Sequence, residues 1–338
     1  MNPLVKQILQ YLIMLGLGIF LMWLVFRDLN FDLIVTGFQE ANYWWISAAL
    51  VVSLVAHYSR AVRWKLLMDP LGYSPSNFRT FLAVMTGYFA NSLLPRAGEV
   101  SRCYVLKRTD NIPFNIAFGS VVAERVIDVI CLLIMTALAF FIEFDHIKDF
   151  FYQLVMDKVS GTEASMQKLY VVLGIATAVG ALIVYLLYKF RDTLLSIEIV
   201  AKIYHFIIGL IDGMTSVWKL KRKWEFIFHT ILIWFCYYFM MYVIFFSLPS
   251  TAGLSLGAAL VVMVVGGFGM SAPVTAGMGA YHFMVAAALQ LYGVTLEQGK
   301  VFAIISHSSQ TISLIIFGGI CALLSFSLKP KVTVEDGN

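Results

Sequence analysis

Charge is scarce in this 338-residue chain: Asp, Glu, Lys and Arg together make up 13% of it, against 60% hydrophobic residues. Combined with a mean hydropathy of +0.83, that shortage excludes an ordinary soluble domain, which carries about 25% charged residues. The net charge is only +4, and Lys and Arg cluster between apolar segments as in cytoplasmic loops, so no nucleic-acid partner is expected. Cysteine is also scarce. Cys103, Cys131, Cys236 and Cys321 lie scattered, three of them inside apolar runs, without the spacing of a metal site or a disulfide framework. There is no G-x-S-x-G elbow, no phosphate loop and no polar tract long enough for a soluble catalytic domain, so no enzyme and no cofactor are expected. His57, His282 and His307 sit at or within apolar segments, no two of them at helical ligand spacing, and no metal is expected.

Long apolar runs are what the chain has in abundance. Crossing a bilayer takes about 20 mostly apolar residues, and the stretches 8–26, 43–62, 116–142, 169–188, 226–248 and 301–328 qualify. Lys6 precedes the first run, and no small-residue cleavage site appears before Arg27, which predicts an uncleaved first span. Two regions do not read as plain helices. Residues 78–110 break at Pro95 and Gly98, and 253–292 pass through GGFGMSAPVTAGMG (266–279), where Pro273, Gly277 and Gly279 interrupt the pattern.

Loop charge sets the orientation. The acidic loops 27–42 and 143–167 belong outside; the basic segment 60–79 and the connector 189–224, amphipathic and ending in KLKRKW, belong in the cytoplasm. A full crossing by 81–94 would put the basic stretch PRAGEVSRCYVLKR (95–108) outside, whereas entry and return on the cytoplasmic side reconciles every loop. The same bookkeeping makes 253–292 start and finish outside, as two thin crossings or a re-entrant pair. The expected fold is therefore an all-α polytopic membrane protein, one integral domain over 1–338, N-in and C-in. It has about six full spans and two broken-helix hairpins, with 78–142 and 253–328 as inverted hairpin-plus-span repeats. A faint echo agrees: NIPFNIAFGSVVAERVID (111–128) lies over GVTLEQGKVFAIISHSSQ (293–310), placing Arg125 on His307 and Asp128 on Gln310.

The candidate site residues are ions inside apolar runs. Glu124 and Asp128 share a helical face with Arg125 beside them; intramembrane ions mark a transport path or a structural pair, such as Arg125 with Glu99. The first hairpin offers Asn91, Arg96, Glu99 and Arg102. An arginine fork suits a phosphodiester, which makes Arg96 and Arg102 the first choices for a lipid phosphate, whereas Lys107 and Arg108 read as headgroup-level anchors. Arg60 and Arg63 close the second span and can reach the same interface or snorkel as anchors. His282 and His307 are candidates for proton coupling or for hydrogen-bonded packing.

The stretches NSLLPRAGEVSRCYVLKR (91–108), ERVID (124–128) and SAPVTAGMGAYHFMVAAALQLYG (271–293) resemble the membrane domain of lysylphosphatidylglycerol synthases and their stand-alone flippase-like relatives. The resemblance covers nearly the whole chain. It implies a polytopic helical protein of a bacterial-type cytoplasmic (inner) membrane that moves lipids or lipid-linked sugars between leaflets. The family's synthase activity belongs to a separate soluble domain, which this sequence is expected to lack. Pro95, Arg96, Gly98, Glu99, Arg102, Glu124, Arg125 and Asp128 match the family pattern. The second motif departs from it: Thr275-Ala276-Gly277-Met278-Gly279 replaces a Pro-Gly-Gly-x-Gly run, and His282 and His307 stand where an acid and an arginine are usual.

The expectation is a lipid translocase. Its headgroup contacts would be Asn91, Arg96, Glu99, Arg102, Arg60 and Arg63, with Glu124, Arg125, Asp128, His282, His307 and Gln310 as the gating polar network. Its partners would be anionic membrane lipids and, as a candidate, a lipid-synthesising enzyme. Two alternatives stay open: a non-transporting scaffold that binds anionic lipid or a partner enzyme, and an intramembrane lipid transferase.

Overall fold

A computed structural model describes residues 16–27, 29–146, 148 and 220–328. The expected span at 169–188 and all but the last residues of the connector 189–224 lie outside these. The described residues form helices without a strand: α1 (Gly16–Phe26), α2 (Phe31–Glu40), α3 (Tyr43–Met68), α4 (Asn77–Leu93), α5 (Ala97–Asp110) and α6 (Phe114–Ile142), then α7 (Lys223–Phe245), α8 (Leu256–Ser271), α9 (Ala280–Gln290) and α10 (Leu296–Ser327). Four helices among the described residues are long and apolar enough to cross a membrane: α3 with its terminal turn, α6, α7 and α10. The chain is an all-α polytopic membrane protein.

Polar residues set the helix starts. Side chains of Asn42, Ser76, Ser255 and Thr295 accept from the N–H groups of Trp44, Arg79, Ala258 and Gln298 at 3.1–3.3 Å, satisfying donors that the first turn leaves open. Asn30 caps α2 in the same way, inside a stretch the sequence reading treats as a loop. Gly37 of α2 seats on Val301 of α10, where an added Cβ would collide. The hydropathic signal of the second span fades at Val62, yet α3 runs on to Met68, because its arginines are paired inside the protein.

The first irregular region is a hairpin of α4, 17 residues, and α5, 14 residues, each short of the roughly 20 that a crossing takes. They join through Leu94–Arg96, and Arg96 takes a left-handed conformation with φ of 61°. Asn91 Oδ1 accepts the Gly98 N–H at 2.7 Å. A Cβ on Gly87 would lie 2.9 Å from the Gly98 carbonyl, so small residues allow the two helices to touch. The second irregular region repeats the plan. After α8, 16 residues, the chain passes through a 3-10 turn at Thr275–Gly277 to α9, 11 residues. A Cβ on Gly269 would meet Tyr281 Cα at 2.7 Å and the Ala280 carbonyl at 3.1 Å.

Each hairpin is followed by a long helix, and each long helix packs on the first arm of the other hairpin: α10 on α4, α6 on α8. Offsetting the chain to lay Asn111 on Gly293 superimposes two left-handed residues that end α5 and the α9 turn, then the helix starts Phe114 and Leu296, and also the contact glycines Gly87 and Gly269. One apolar core lies among α7, α8, α9 and α10, and another among α3, α4, α5 and the start of α6. At the far end of α6, the Tyr292 hydroxyl donates to Glu143 at 3.1 Å; burial, and then the carboxylate, push this phenol's pKa up.

Candidate functional site

On α3, Ser53, His57, Arg60 and Trp64 recur every three or four residues and so share one face, with Arg63 beside them. On α6, Ser120, Glu124 and Asp128 do the same. Where these faces meet α5, a charged cluster is buried. Glu124, fully buried, accepts from Arg60 Nε at 2.7 Å, Arg63 Nη2 at 3.2 Å and Arg102 Nη1 at 2.7 Å. Asp128 accepts from Arg63 Nη2 at 2.6 Å and from Arg60 Nη2. Arg60 Nη1 also donates to the Tyr88 hydroxyl at 3.2 Å and the Tyr237 hydroxyl at 2.9 Å.

Aromatic faces brace the guanidinium groups. Arg102 lies 4.7 Å over the Trp64 ring and Arg63 5.9 Å over Phe226, distances at which the ring quadrupole attracts a cation. Trp64 is itself fixed by donating Nε1–H to Ser120 Oγ at 2.9 Å. Above the cluster, His57 bonds Ser53 at 3.1 Å and lies 4.5 Å from the Tyr88 ring, extending the polar stripe along α3.

The charges do not balance. Three guanidinium groups face two carboxylates, which leaves one positive charge over. Nε and Nη1 of Arg63 and Nε and Nη2 of Arg102 are buried without a hydrogen-bond partner, although neither residue is more than 4% exposed. Each unmet buried donor costs about 1–3 kcal/mol. The unpaired N–H groups belong to planar forks, the geometry that suits carboxylate or phosphate.

The other sequence candidates lie elsewhere. Arg96 is exposed at the turn of the first hairpin, about one helical turn from Gly98 and Glu99 along the chain. Arg125, next to Glu124 on α6, pairs with Glu99 at 2.7 Å near the surface. Asn91 serves the hairpin backbone. His282 and His307 lie together at the second hairpin, with ring centroids 4.8 Å apart, and Gln310 Nε2 lies 3.6 Å from Met240 Sδ. These three residues do not join the arginine cluster. Arg108 reaches the Ser325 carbonyl at 3.3 Å and that of Phe326, at the end of α10, where a cation meets the last open carbonyls. Trp64, Tyr88, Ser120, Phe226 and Tyr237 were not singled out in the sequence; the stripe at 53, 57, 60 and 64 is the signal that marks the α3 face.

The chain matches the family described as lysylphosphatidylglycerol synthase TM region over residues 8–318. It belongs to this family. Among curated relatives, a UPF0104 membrane protein of Methanocaldococcus jannaschii is 32% identical over 111 residues, covering 32% of this chain and 33% of the relative. A UPF0104 membrane protein of Methanothermobacter thermautotrophicus is 26% identical over 112 residues, 32% of each chain. The glycosyltransferase AglD of Haloferax volcanii is 30% identical over 98 residues, 29% of this chain and 16% of that protein. The chain thus spans about a third of the length of the two UPF0104 relatives it matches. No solved structure matches it significantly.

Proposed function

We propose that this family member moves a phosphate-bearing lipid or a lipid-linked sugar between leaflets, as a transporter rather than an enzyme. The observation that carries the reading is the buried cluster with one positive charge in excess and four guanidinium nitrogens of Arg63 and Arg102 without a hydrogen-bond partner. A lipid phosphate brings the missing negative charge and several acceptor oxygens to these forks. Arg96, at the hairpin turn, makes the first contact with a headgroup, and Glu124 and Asp128 hold the receiving arginines in place. The family's name supplies the lipid class, and the glycosyltransferase relative keeps a lipid-linked sugar in view.

Two hairpins too short to cross, each followed by a long helix that packs on the other hairpin, favour re-entrant arms in an inverted repeat. Such repeats place the substrate at their junction. The orientation in this reading is N-in and C-in within a cytoplasmic membrane, with anionic lipids and a lipid-synthesising enzyme as partners.

The test is leaflet exchange of labelled anionic and zwitterionic phospholipids in proteoliposomes. The intact protein speeds anionic exchange, and Arg102→Gln, in folded protein, abolishes the gain; equal exchange by both proteins refutes the role of the cluster. The depth of burial, complete at Arg63, favours one other reading: a scaffold that binds anionic lipid without moving it. Retained binding with no exchange would select that one.

A further inference from the structure

A second set of buried polar side chains surrounds the break between α8 and α9. His282 and His307 are both buried, with Tyr281 5.2 Å from the His307 ring and its hydroxyl 3.4 Å from Ser306 Oγ. His307 Nε2 lies 2.8 Å from the carbonyl oxygen of Ala276. A carbonyl only accepts, so in the neutral ring Nε2 carries the proton and Nδ1 keeps its lone pair. At His282 the backbone engages the other nitrogen: Nδ1 accepts the N–H of Gly279 at 3.3 Å, which likewise puts the proton on Nε2.

The backbone of the break, with Ala276, Gly277 and Gly279 at positive φ, thereby engages opposite nitrogens of two neighbouring rings that share the Nε2–H tautomer. One presents a donor and the other an acceptor. A hydroxyl donates and accepts through a single oxygen and complements both, whereas an ionised phosphate oxygen meets only the donor. Hydrocarbon has its place alongside. Thr275 and Met278, on the same break, line a groove of about 290 Å³ with Gly18, Met22, Trp23 and Phe26 of α1. In the offset that superimposes the two hairpin-plus-helix sets, His307 stands where Arg125 stands in the first. The second hairpin is thus the uncharged counterpart of the first.

We infer that the second hairpin binds a hydroxylated headgroup, glycerol or a ring polyol, with His282 and His307 holding one hydroxyl and the α1 groove taking the alkyl chain. This rests on the lipid reading above and narrows the substrate to a lipid that carries hydroxyls as well as phosphate.

Three diester lipids of equal charge separate the two claims: phosphatidylglycerol, phosphatidylinositol and the hydroxyl-free phosphatidylmethanol. Their binding to the full chain in nanodiscs is compared for the native protein, His282→Asn, His307→Gln and Arg102→Gln. His282→Asn keeps an oxygen for the Gly279 N–H, and His307→Gln keeps an N–H for the Ala276 carbonyl, so both preserve the break while withdrawing the presented atom. The expected result is a native preference of roughly tenfold for a hydroxylated lipid, as two buried hydrogen bonds imply. The preference disappears in both histidine variants while phosphatidylmethanol binding holds. Phosphatidylglycerol preferred over phosphatidylinositol assigns glycerol, and the reverse assigns a ring polyol. Equal native binding of all three lipids, or a preference that survives both histidine variants, overturns the inference and leaves the phosphate site standing. Binding of none of them, or binding indifferent to Arg102→Gln, removes the phosphate reading and this one with it.

Discussion

Glu124 is the residue on which the cluster depends, since it alone accepts from Arg60, Arg63 and Arg102. Removing one partner of a buried ion pair costs about 3–5 kcal/mol because the remaining charge stays buried and unpaired. Glu124→Gln is therefore expected to lower stability in detergent by that order, read as a lower unfolding midpoint, and an unchanged midpoint would show that the arginines find other partners. Arg96 presents the opposite case, an exposed side chain on a left-handed backbone. That conformation costs a non-glycine residue about 1–2 kcal/mol, so Arg96→Gly should unfold later than the native protein while losing the turn's positive charge. Earlier unfolding would mean that the side chain holds the turn. Much at this scale is legible in the sequence. Glu124 and Asp128 stand out as acids in an apolar run, and Arg102 as a fork beside a helix break. Arg60 and Arg63 read equally well as anchors, because hydropathy ends at Val62 and says nothing of an acid 64 residues further along. Trp64 and Tyr237 are hidden by an abundance of aromatic residues, 15% of the chain.

At the scale of elements, the first hairpin depends on two glycines in contact. A Cβ at Gly98 would strike the Gly87 carbonyl and come within 2.5 Å of the Asn91 amide nitrogen, whereas Gly119, in the exposed part of α6, has nothing within 4 Å. Gly98→Ala should thus lower thermal stability. Gly119→Ala should raise it by up to about 1 kcal/mol through helix propensity alone. Equal effects of the two changes in a melting experiment would contradict the close crossing. The breaks themselves are readable from Pro95, Gly98, Pro273 and the glycines that follow. Helix α2 is not, since a ten-residue segment between charges gives no span signal and is held by tertiary contact at Gly37. The continuation of α3 to Met68 is missed for a related reason: hydropathy counts a charge as exposed until its partner is known.

At the scale of the molecule, an excess positive charge enclosed by α3, α5 and α6 predicts that anionic lipid stabilises the fold. A ligand at 100 times its dissociation constant adds about 2.7 kcal/mol, so phosphatidylglycerol should raise the melting temperature of the native protein and leave that of Arg102→Gln in place. A similar rise with phosphatidylcholine would point to general solvation instead. The all-helical membrane class and the two irregular regions follow from composition and from the placement of glycine and proline. The packing of α10 on α4 and α6 on α8 does not, because residue identity between the two hairpin-plus-helix stretches is slight even where Asn111 and Gly293 share a left-handed backbone.

The central claim is that Arg63 and Arg102 hold a lipid phosphate. The most direct measurement is the dipolar contact between guanidinium nitrogen-15 and lipid phosphorus-31, by solid-state NMR of the full chain in phosphatidylglycerol bilayers. The account predicts a short nitrogen–phosphorus contact from a slowly exchanging lipid that is lost in folded Arg102→Gln protein. A native spectrum whose phosphorus contacts are all unchanged by that substitution would contradict it.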